Sequence, residues 1–137
     1  MLVFDIKGAV LGRAAAQIAK HALRGEEVRV VNAEEAIITG SKEDIVAKYR
    51  RKRELGGMRK APHYPRMPDR LVKRVVRGML PYKTPKGRAA YRRIRVYIGV
   101  PEEYKNVEVK HLSEGRKYSK YIKVGELSKL LGAKFEV

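Results

Sequence analysis

The chain begins with a strand, a helix and a second strand, and this order constrains the fold more than any other feature. Residues 2–6 read LVFDI and residues 28–31 read VRVV, while residues 13–23 carry alanine and isoleucine at helical spacing. This order is typical of a β-α-β unit, in which the two strands are parallel and the crossover is right-handed. The sequence therefore predicts an α/β fold built on a parallel sheet.

Two longer helices are predicted in the middle of the chain. Ser41, followed by an acidic residue three positions later, favours a helix start, and that helix runs from Lys42 to about Arg53. Residues 54–68 contain a Gly-Gly pair and three prolines, so they are predicted to form a long loop. Asp69 is predicted to cap the next helix, which ends before Pro81. Its apolar face is predicted to contain Leu71, Val72, Val75, Val76, Met79 and Leu80.

The last third of the chain gives weaker signals. Residues 82–93 are interpreted as a basic connection that leads into a third major strand at Ile94–Ile98. A short strand is predicted at Val107–Val109, and a final helix at Gly125–Leu131 is closed by Gly132. Since there is no repeat and no domain boundary, residues 1–137 are predicted to form one domain.

The charge of the chain is concentrated in one segment. Residues 48–95 contain 18 lysines and arginines but only two acidic residues, Glu54 and Asp69. Their net charge of +16 is nearly the whole +17 of the chain. A solvated helix face usually mixes both signs, because like charges one turn apart repel. The segment therefore predicts a polyanionic partner. Elsewhere in the sequence, no apolar run approaches the ~20 residues that a membrane span needs.

The arginines and tyrosines of this segment favour RNA, although the charge map alone also allows another polyanion. Twelve of the 18 cations are arginine, whose planar fork suits phosphate. The candidate phosphate-binding residues are Lys48, Arg50, Arg51, Lys52, Arg53, Arg59, Lys60, Arg66, Lys73, Arg74, Arg77, Lys83, Lys86, Arg88 and Arg92. Arg13 is added because it lies beside the start of the first helix. Tyr64 and Tyr82 are candidates for stacking on exposed bases, whereas Tyr49 and Tyr91 are predicted to pack in the core.

Other chemistries lack their signatures. The segment Gly8–Gly12 lies between a strand and a helix, but it matches neither phosphate-loop pattern and is predicted to be a tight turn. Asp5, Glu34 and Glu35 follow strands, where carboxylates serve as partners of basic side chains as well as catalysts. No catalytic residue or metal ligand is predicted, because the carboxylates have ordinary alternatives, the three histidines lie far apart and cysteine is absent. His63 is open between an RNA contact and a solvent-exposed side chain.

Four segments, in order, resemble the large-subunit ribosomal protein L13 family. LGRAAAQIAKHAL (residues 11–23) resembles the first helix of the family, and VRVVNAEEAIITGSK (residues 28–42) resembles its second strand and the following helix start. GMLP (residues 78–81) is similar to the most recognisable string of the family, and RIRVYIG (residues 93–99) resembles the strand after it. The tail resembles the archaeal and eukaryotic branch, and the short chain favours an archaeal source.

The resemblance implies a three-layer α/β domain, with a small, mostly parallel four-stranded sheet between helices and basic loop extensions. It also implies a structural, non-enzymatic role in the cytoplasmic ribosome. The partners would be large-subunit ribosomal RNA and neighbouring ribosomal proteins, with no membrane, cofactor or small-molecule substrate. Within GMLP, Met79 and Leu80 are predicted to pack inward. Two alternatives are a nucleotide-dependent α/β enzyme, for which the phosphate loop is missing, and a regulatory RNA-binding protein free of the ribosome.

Overall fold

The predicted β-α-β unit is present and organises the sheet. The structure, a computed structural model, describes residues 1–54, 64–113, 115 and 117–136. Strand β1 (Leu2–Asp5) pairs in parallel with β2 (Val28–Val31), so that Phe4 lies opposite Val30. Helix α1 (Leu11–Leu23) connects the two strands. The start of the chain therefore folds as its apolar pattern predicts.

The main sheet has four parallel strands within the described residues, with β2 and β1 at its centre and one further strand on each outer side. Strand β4 (Ile94–Val96) lies beside β2, and β5 (Lys110–His111) lies beside β1. The other elements are β3 (Ile37–Thr39), α2 (Lys42–Glu54), α3 (Pro68–Gly78), α4 (Pro85–Arg92), β6 (Tyr121–Lys123), α5 (Val124–Leu130) and two 3-10 helices (Ala33–Glu35 and Glu102–Tyr104). The α/β fold with a small parallel sheet is confirmed.

One face of the sheet is covered by helices. Alternate residues of the strands point to this face, as the two-residue period of a strand requires. The principal core cluster joins the sheet residues Phe4, Val28, Val30 and Ile94 to α1 residues Ala15 and Ile18 and α3 residues Leu71, Val72 and Val76. Helix α4 adds Ala90 to the same cluster. The apolar stripe of α3 is thus buried in the core, and the opposite side of the helix faces solvent.

The opposite face of the sheet has a thinner cover. Val3 and Val31 are buried there together with Tyr104, which belongs to a 3-10 helix. Tyr97 packs on this cluster, and its ring lies 5.6 Å from the Tyr104 ring. The two outer layers are therefore unequal, with long helices on one side and a short helical segment on the other.

A second, two-stranded antiparallel sheet joins the end of the chain to its beginning. Strand β6 pairs with β3, and Ile122 lies opposite Ile38. Helix α5 follows at once, one residue earlier than the predicted Gly125–Leu131, and Gly132 has the predicted left-handed backbone, with φ of +97°. The side chain of Lys42 at the start of α2 pairs with Glu126 of α5. None of the helices in the described ranges is long and apolar enough to cross a membrane.

Three predictions at the centre of the chain were wrong. Residues 82–93 are not simply a connection, because residues 85–92 form α4 with Thr84 as its N-cap. Asp69 does not cap α3, since the helix starts at Pro68, whose fixed φ and missing N–H suit the first helical position. Met79 does not pack inward: the helix ends at Gly78, so Met79 is 43% exposed and only Leu80 returns to the core.

The remaining differences concern strand ends. The third major strand stops at Val96 instead of Ile98, because the chain turns to place Tyr97 on the second cluster. The short strand predicted at Val107–Val109 starts three residues later and ends two residues later, at Lys110–His111. Both shifts fall where pairing with a neighbour, and not local propensity, decides where a strand ends.

Candidate RNA interface

Helix α3 presents a row of cations on the side opposite its buried stripe. Arg70, Lys73, Arg74 and Arg77 are spaced by three, one and three residues, which places them on one side of a helix. Lys73, Arg74 and Arg77 are half-buried, and Arg70 is exposed. The same period that buries the apolar residues of α3 therefore brings its cations together.

Two tyrosines from the following turn and helix α4 lie under this row. The guanidinium of Arg77 is 4.0 Å from the centroid of the Tyr82 ring, and the ammonium of Lys73 is 4.7 Å from that of Tyr91. The two rings meet edge to face, with centroids 5.4 Å apart and planes at 88°. This arrangement joins the turn after α3 to α4 through two adjacent rings, each with one cation of α3 over it.

A second pair of tyrosines links α3 to α2. The Tyr64 ring meets the Tyr49 ring edge to face at 5.8 Å, and Tyr49 is buried, as predicted. Lys52 of α2 lies over both rings, at 5.1 Å from Tyr49 and 5.0 Å from Tyr64. Arg74 of α3 is 5.4 Å from the Tyr64 ring, so the two helices share it. We call the four cations Lys52, Lys73, Arg74 and Arg77, with tyrosines 49, 64, 82 and 91, the cation–tyrosine face.

The two lysines of this face, Lys52 and Lys73, have lowered pKa values, because they are half-buried and lie near other positive charges. Burial lowers the pKa of Lys52, and the neighbouring charges of Lys48 and Arg74 lower it further. Burial also lowers the pKa of Lys73, with an additional contribution from Arg95. The negative charge of a phosphate would favour the charged form of both lysines and so offset the repulsion and the cost of burial, which means that the electrostatics favour an anionic ligand.

Three tyrosine hydroxyls on this face, those of Tyr49, Tyr64 and Tyr91, stay neutral at physiological pH. Burial raises the pKa of Tyr49, Tyr64 and Tyr91, although nearby arginines offset part of the shift for the latter two. A neutral ring keeps its negative π face, which is what attracts a cation. Arg74 and Arg77 both influence Tyr91, so the two tyrosine pairs belong to one surface.

Carboxylates do not neutralise this surface. The ion pairs of the described residues involve other parts of the fold, and no member of the cation–tyrosine face takes part in them. Asp69 lies at the start of α3 and raises the pKa of Lys73 only as a minor contribution. The described part of this face therefore carries uncompensated positive charge.

The other sequence candidates flank this face or lie elsewhere. The exposed cations are Lys48, Arg50 and Arg51 on α2, Arg66 before α3, and Lys83, Lys86, Arg88 and Arg92 in the turn and α4. Arg53 is half-buried and donates to the backbone oxygen of Tyr64. Arg13 is exposed in the first turn of α1. The candidates Arg59 and Lys60, and also His63, lie outside the described residues.

The sequence candidates did not include three cations beside this face, namely Arg70, Arg95 and Lys134. Arg70 borders a groove of about 620 Å³ that is also lined by Arg53, Arg66 and Lys134. Arg70 also borders a second groove, of about 460 Å³, which is lined by Lys73 and Arg95 as well. The helical period of α3 was enough to find Arg70. Lys134 had no signal, because only the fold brings the end of the chain to α3.

The carboxylates weighed as catalysts have structural partners. Asp5 accepts a hydrogen bond from the Asn32 amide at 3.0 Å and faces the His111 ring at 3.3 Å. Glu34 is buried and accepts from the Gly99 backbone N–H through both oxygens, at 2.9 and 3.0 Å. Glu35 pairs with Lys123 at 3.0 Å. Among the described residues, no cluster of three acidic or histidine side chains has the geometry of a metal site.

A small α/β domain with an uncompensated cationic and aromatic surface fits the class of polyanion-binding proteins. Comparison with known proteins narrows the class. Residues 1–103 match the family model described as Ribosomal protein L13. The chain belongs to this family.

Curated relatives cover nearly the whole chain. The large ribosomal subunit protein uL13 of Methanocaldococcus jannaschii is 48% identical over 140 residues, covering 98% of this chain and all of the relative. The uL13 proteins of Methanococcus maripaludis and Archaeoglobus fulgidus are 48% and 46% identical, covering 98% and 95% of this chain and 100% and 86% of the relatives. The archaeal type suggested by the tail is thereby supported.

Proposed function

We propose that this chain is a structural constituent of the large ribosomal subunit and binds large-subunit ribosomal RNA with the cation–tyrosine face and its flanking cations. One observation carries the proposal: four cations from α2 and α3 converge on four tyrosines without a carboxylate partner in the described residues. The family membership and the name of the relatives, large ribosomal subunit protein uL13, support it.

The binding acts mainly on phosphate position and RNA shape. Paired RNA hides its base edges in a deep groove, so side chains on a rigid domain meet chiefly the backbone. The row on α3 and the exposed cations of α2 and α4 supply positive charge from three elements of one domain. The role is structural and not enzymatic, in the cytoplasmic ribosome, with neighbouring ribosomal proteins as further partners.

A regulatory RNA-binding protein free of the ribosome is the alternative, and it has the same charge map. The family relationship favours the ribosomal role over it. Sedimentation of a native extract on a sucrose gradient separates the two. The protein is expected with the large subunit, and it is expected to stay there through a salt wash that removes loosely bound basic proteins. Recovery only near the top of the gradient would overturn the ribosomal role.

A further inference from the structure

Three tyrosines of the cation–tyrosine face each lie beneath a cation of α3. The ring-to-cation distances are 4.0 Å for Tyr82 and Arg77, 4.7 Å for Tyr91 and Lys73, and 5.4 Å for Tyr64 and Arg74. All are within the ~6 Å at which a cation is attracted by the π face of a ring. The pairing is regular, because each of three neighbouring cations has a different ring.

The rings are themselves held in place. Tyr64 and Tyr91 pack against the principal core cluster, and Tyr82 rests edge-on against Tyr91. The turn that carries Tyr82 is closed by Thr84, whose backbone N–H and hydroxyl both donate to the Pro81 oxygen, at 2.9 and 2.7 Å. A ring fixed in this way restricts the long side chain above it, which otherwise samples many rotamers.

The ring of Tyr82 shows why holding a cation is favoured over stacking on a base. Its face toward Arg77 is covered by a guanidinium at van der Waals distance, which is the position that a stacked base would need. Tyr64 has two cations over its ring, Lys52 and Arg74. With no carboxylate of the described residues paired to these cations, the rings are what orient them.

We propose that Tyr64, Tyr82 and Tyr91 are positioning residues that fix Arg74, Arg77 and Lys73 as a preformed row for the phosphates of ribosomal RNA. The inference rests on the proposed function and adds how the cations of the row are held in position before RNA binds. Ordering a long side chain on binding costs free energy, and a side chain ordered beforehand avoids much of that cost. The tyrosines thus contribute to affinity without having to touch the RNA.

A double-mutant cycle on Tyr82 and Arg77 tests the proposal. Affinity is measured for a transcript of large-subunit ribosomal RNA, with Tyr82→Leu, Arg77→Ala and the double variant compared with the unmodified chain. Tyr82→Leu is expected to weaken binding by about two- to tenfold, because it frees one arginine side chain. In the Arg77→Ala background the same change is expected to have no effect, since the cation that the ring holds is gone.

Two controls isolate the role of the ring. Tyr82→Phe keeps the ring and is expected to restore most of the affinity that Tyr82→Leu loses. Tyr82→Leu combined with Arg50→Ala, which removes a cation of α2, is expected to show additive losses. Melting curves for all variants detect a general loss of folding.

The outcomes also separate this inference from the proposed function. Additive losses for Tyr82→Leu and Arg77→Ala would overturn the positioning role and leave the RNA-binding face intact. A transcript that does not bind the unmodified chain, or binds Arg77→Ala equally well, would overturn the proposed face and this inference with it.

Discussion

Arg74 and Arg77 are the residues whose loss affects the proposed interface most directly. Replacing both with alanine removes two cations from the row on α3 without touching its buried stripe. Affinity for large-subunit ribosomal RNA is expected to fall at least about tenfold, since a hydrogen bond to a charged group contributes about 1.5–3 kcal/mol. Equilibrium binding and a thermal melt measure the two effects separately.

A matched variant removes the same charge elsewhere. Lys110 and Lys120 are exposed and lie outside the basic segment. Changing both to alanine is expected to weaken binding much less. Unchanged affinity for the Arg74 and Arg77 variant with a native melt, or an equal loss in the control, would contradict the assignment.

Glu34 carries a pH dependence of folding that is separate from RNA. Burial raises its pKa above the ordinary 4.5, and the hydrogen bond from Gly99 lowers it only in part. A raised pKa means that the fold favours the protonated form, so the contribution of Glu34 to stability is present below pH 4.5 and is lost as pH rises through the higher folded value. Glu34→Gln removes this loss, because glutamine is neutral and keeps an oxygen for Gly99.

The melting temperature of Glu34→Gln, relative to the unmodified chain, is therefore expected to be higher at about pH 7 than at about pH 4. Glu108→Gln, which removes an exposed carboxylate, serves as the reference for a surface change. A difference between Glu34→Gln and the unmodified chain that is the same at both pH values would show that Glu34 ionises as freely in the fold as in the unfolded chain.

At the scale of elements, the sequence was sufficient where one helix or strand decides the outcome. The period of α3 placed Leu71, Val72 and Val76 on its buried face, and the order of strand, helix and strand at the start of the chain predicted the parallel sheet. Helix α4 was missed, since residues 82–93 were interpreted as a basic connection. Thr84 as N-cap and Pro85 in the first turn are in fact favourable start signals.

The rest of the site was beyond sequence reasoning because it depends on contacts between elements. Tyr64 and Tyr82 lie outside helices and strands, so no periodic pattern says which cation each ring meets. Arg77 meets Tyr82 only because the turn at residues 78–84 folds back beneath α3. The basic and aromatic composition of this surface can be read from the sequence, whereas the pairing of its residues required the fold.

Gly87 holds that turn against α4, and its replacement is expected to destabilise the protein. A Cβ atom at this position would lie 1.9 Å from the backbone oxygen of Pro81, so the turn and the helix would have to separate. Gly87→Ala is expected to lower the free energy of unfolding by about 1–3 kcal/mol, despite the better helix propensity of alanine. RNA affinity is expected to fall as well, because Tyr82 moves with the turn.

Gly12→Ala provides the matched control in α1. A Cβ atom there would meet nothing within 4 Å. This variant is expected to be unchanged or more stable by about 0.5–1 kcal/mol, as the helix propensity of alanine predicts. Denaturant unfolding of both variants gives the two free energies, and a Gly87→Ala variant as stable as Gly12→Ala would refute the steric argument.

At the scale of the whole molecule, the fold separates burial from charge. The apolar side of α3 closes the core over the sheet, while its other side and the exposed cations of α2 and α4 concentrate positive charge. Residues 48–95 hold a net +16, and this excess destabilises the isolated protein through self-repulsion. RNA phosphates offset the same repulsion, so binding and folding respond to salt in opposite directions.

Increasing sodium chloride is therefore expected to raise the melting temperature of the free protein while lowering its affinity for ribosomal RNA. Screening weakens repulsion within the basic segment, since the Debye length falls from about 30 Å at 0.01 M to about 3 Å at 1 M. The same salt lowers the affinity for RNA, because the release of counterions from the phosphates is less favourable at high salt concentration. Circular-dichroism melts and binding isotherms over one salt series measure both trends. Changing Arg50 and Arg51 to glutamine is expected to flatten the rise in melting temperature. A melting temperature that falls with sodium chloride would contradict the argument that repulsion within residues 48–95 destabilises the free protein.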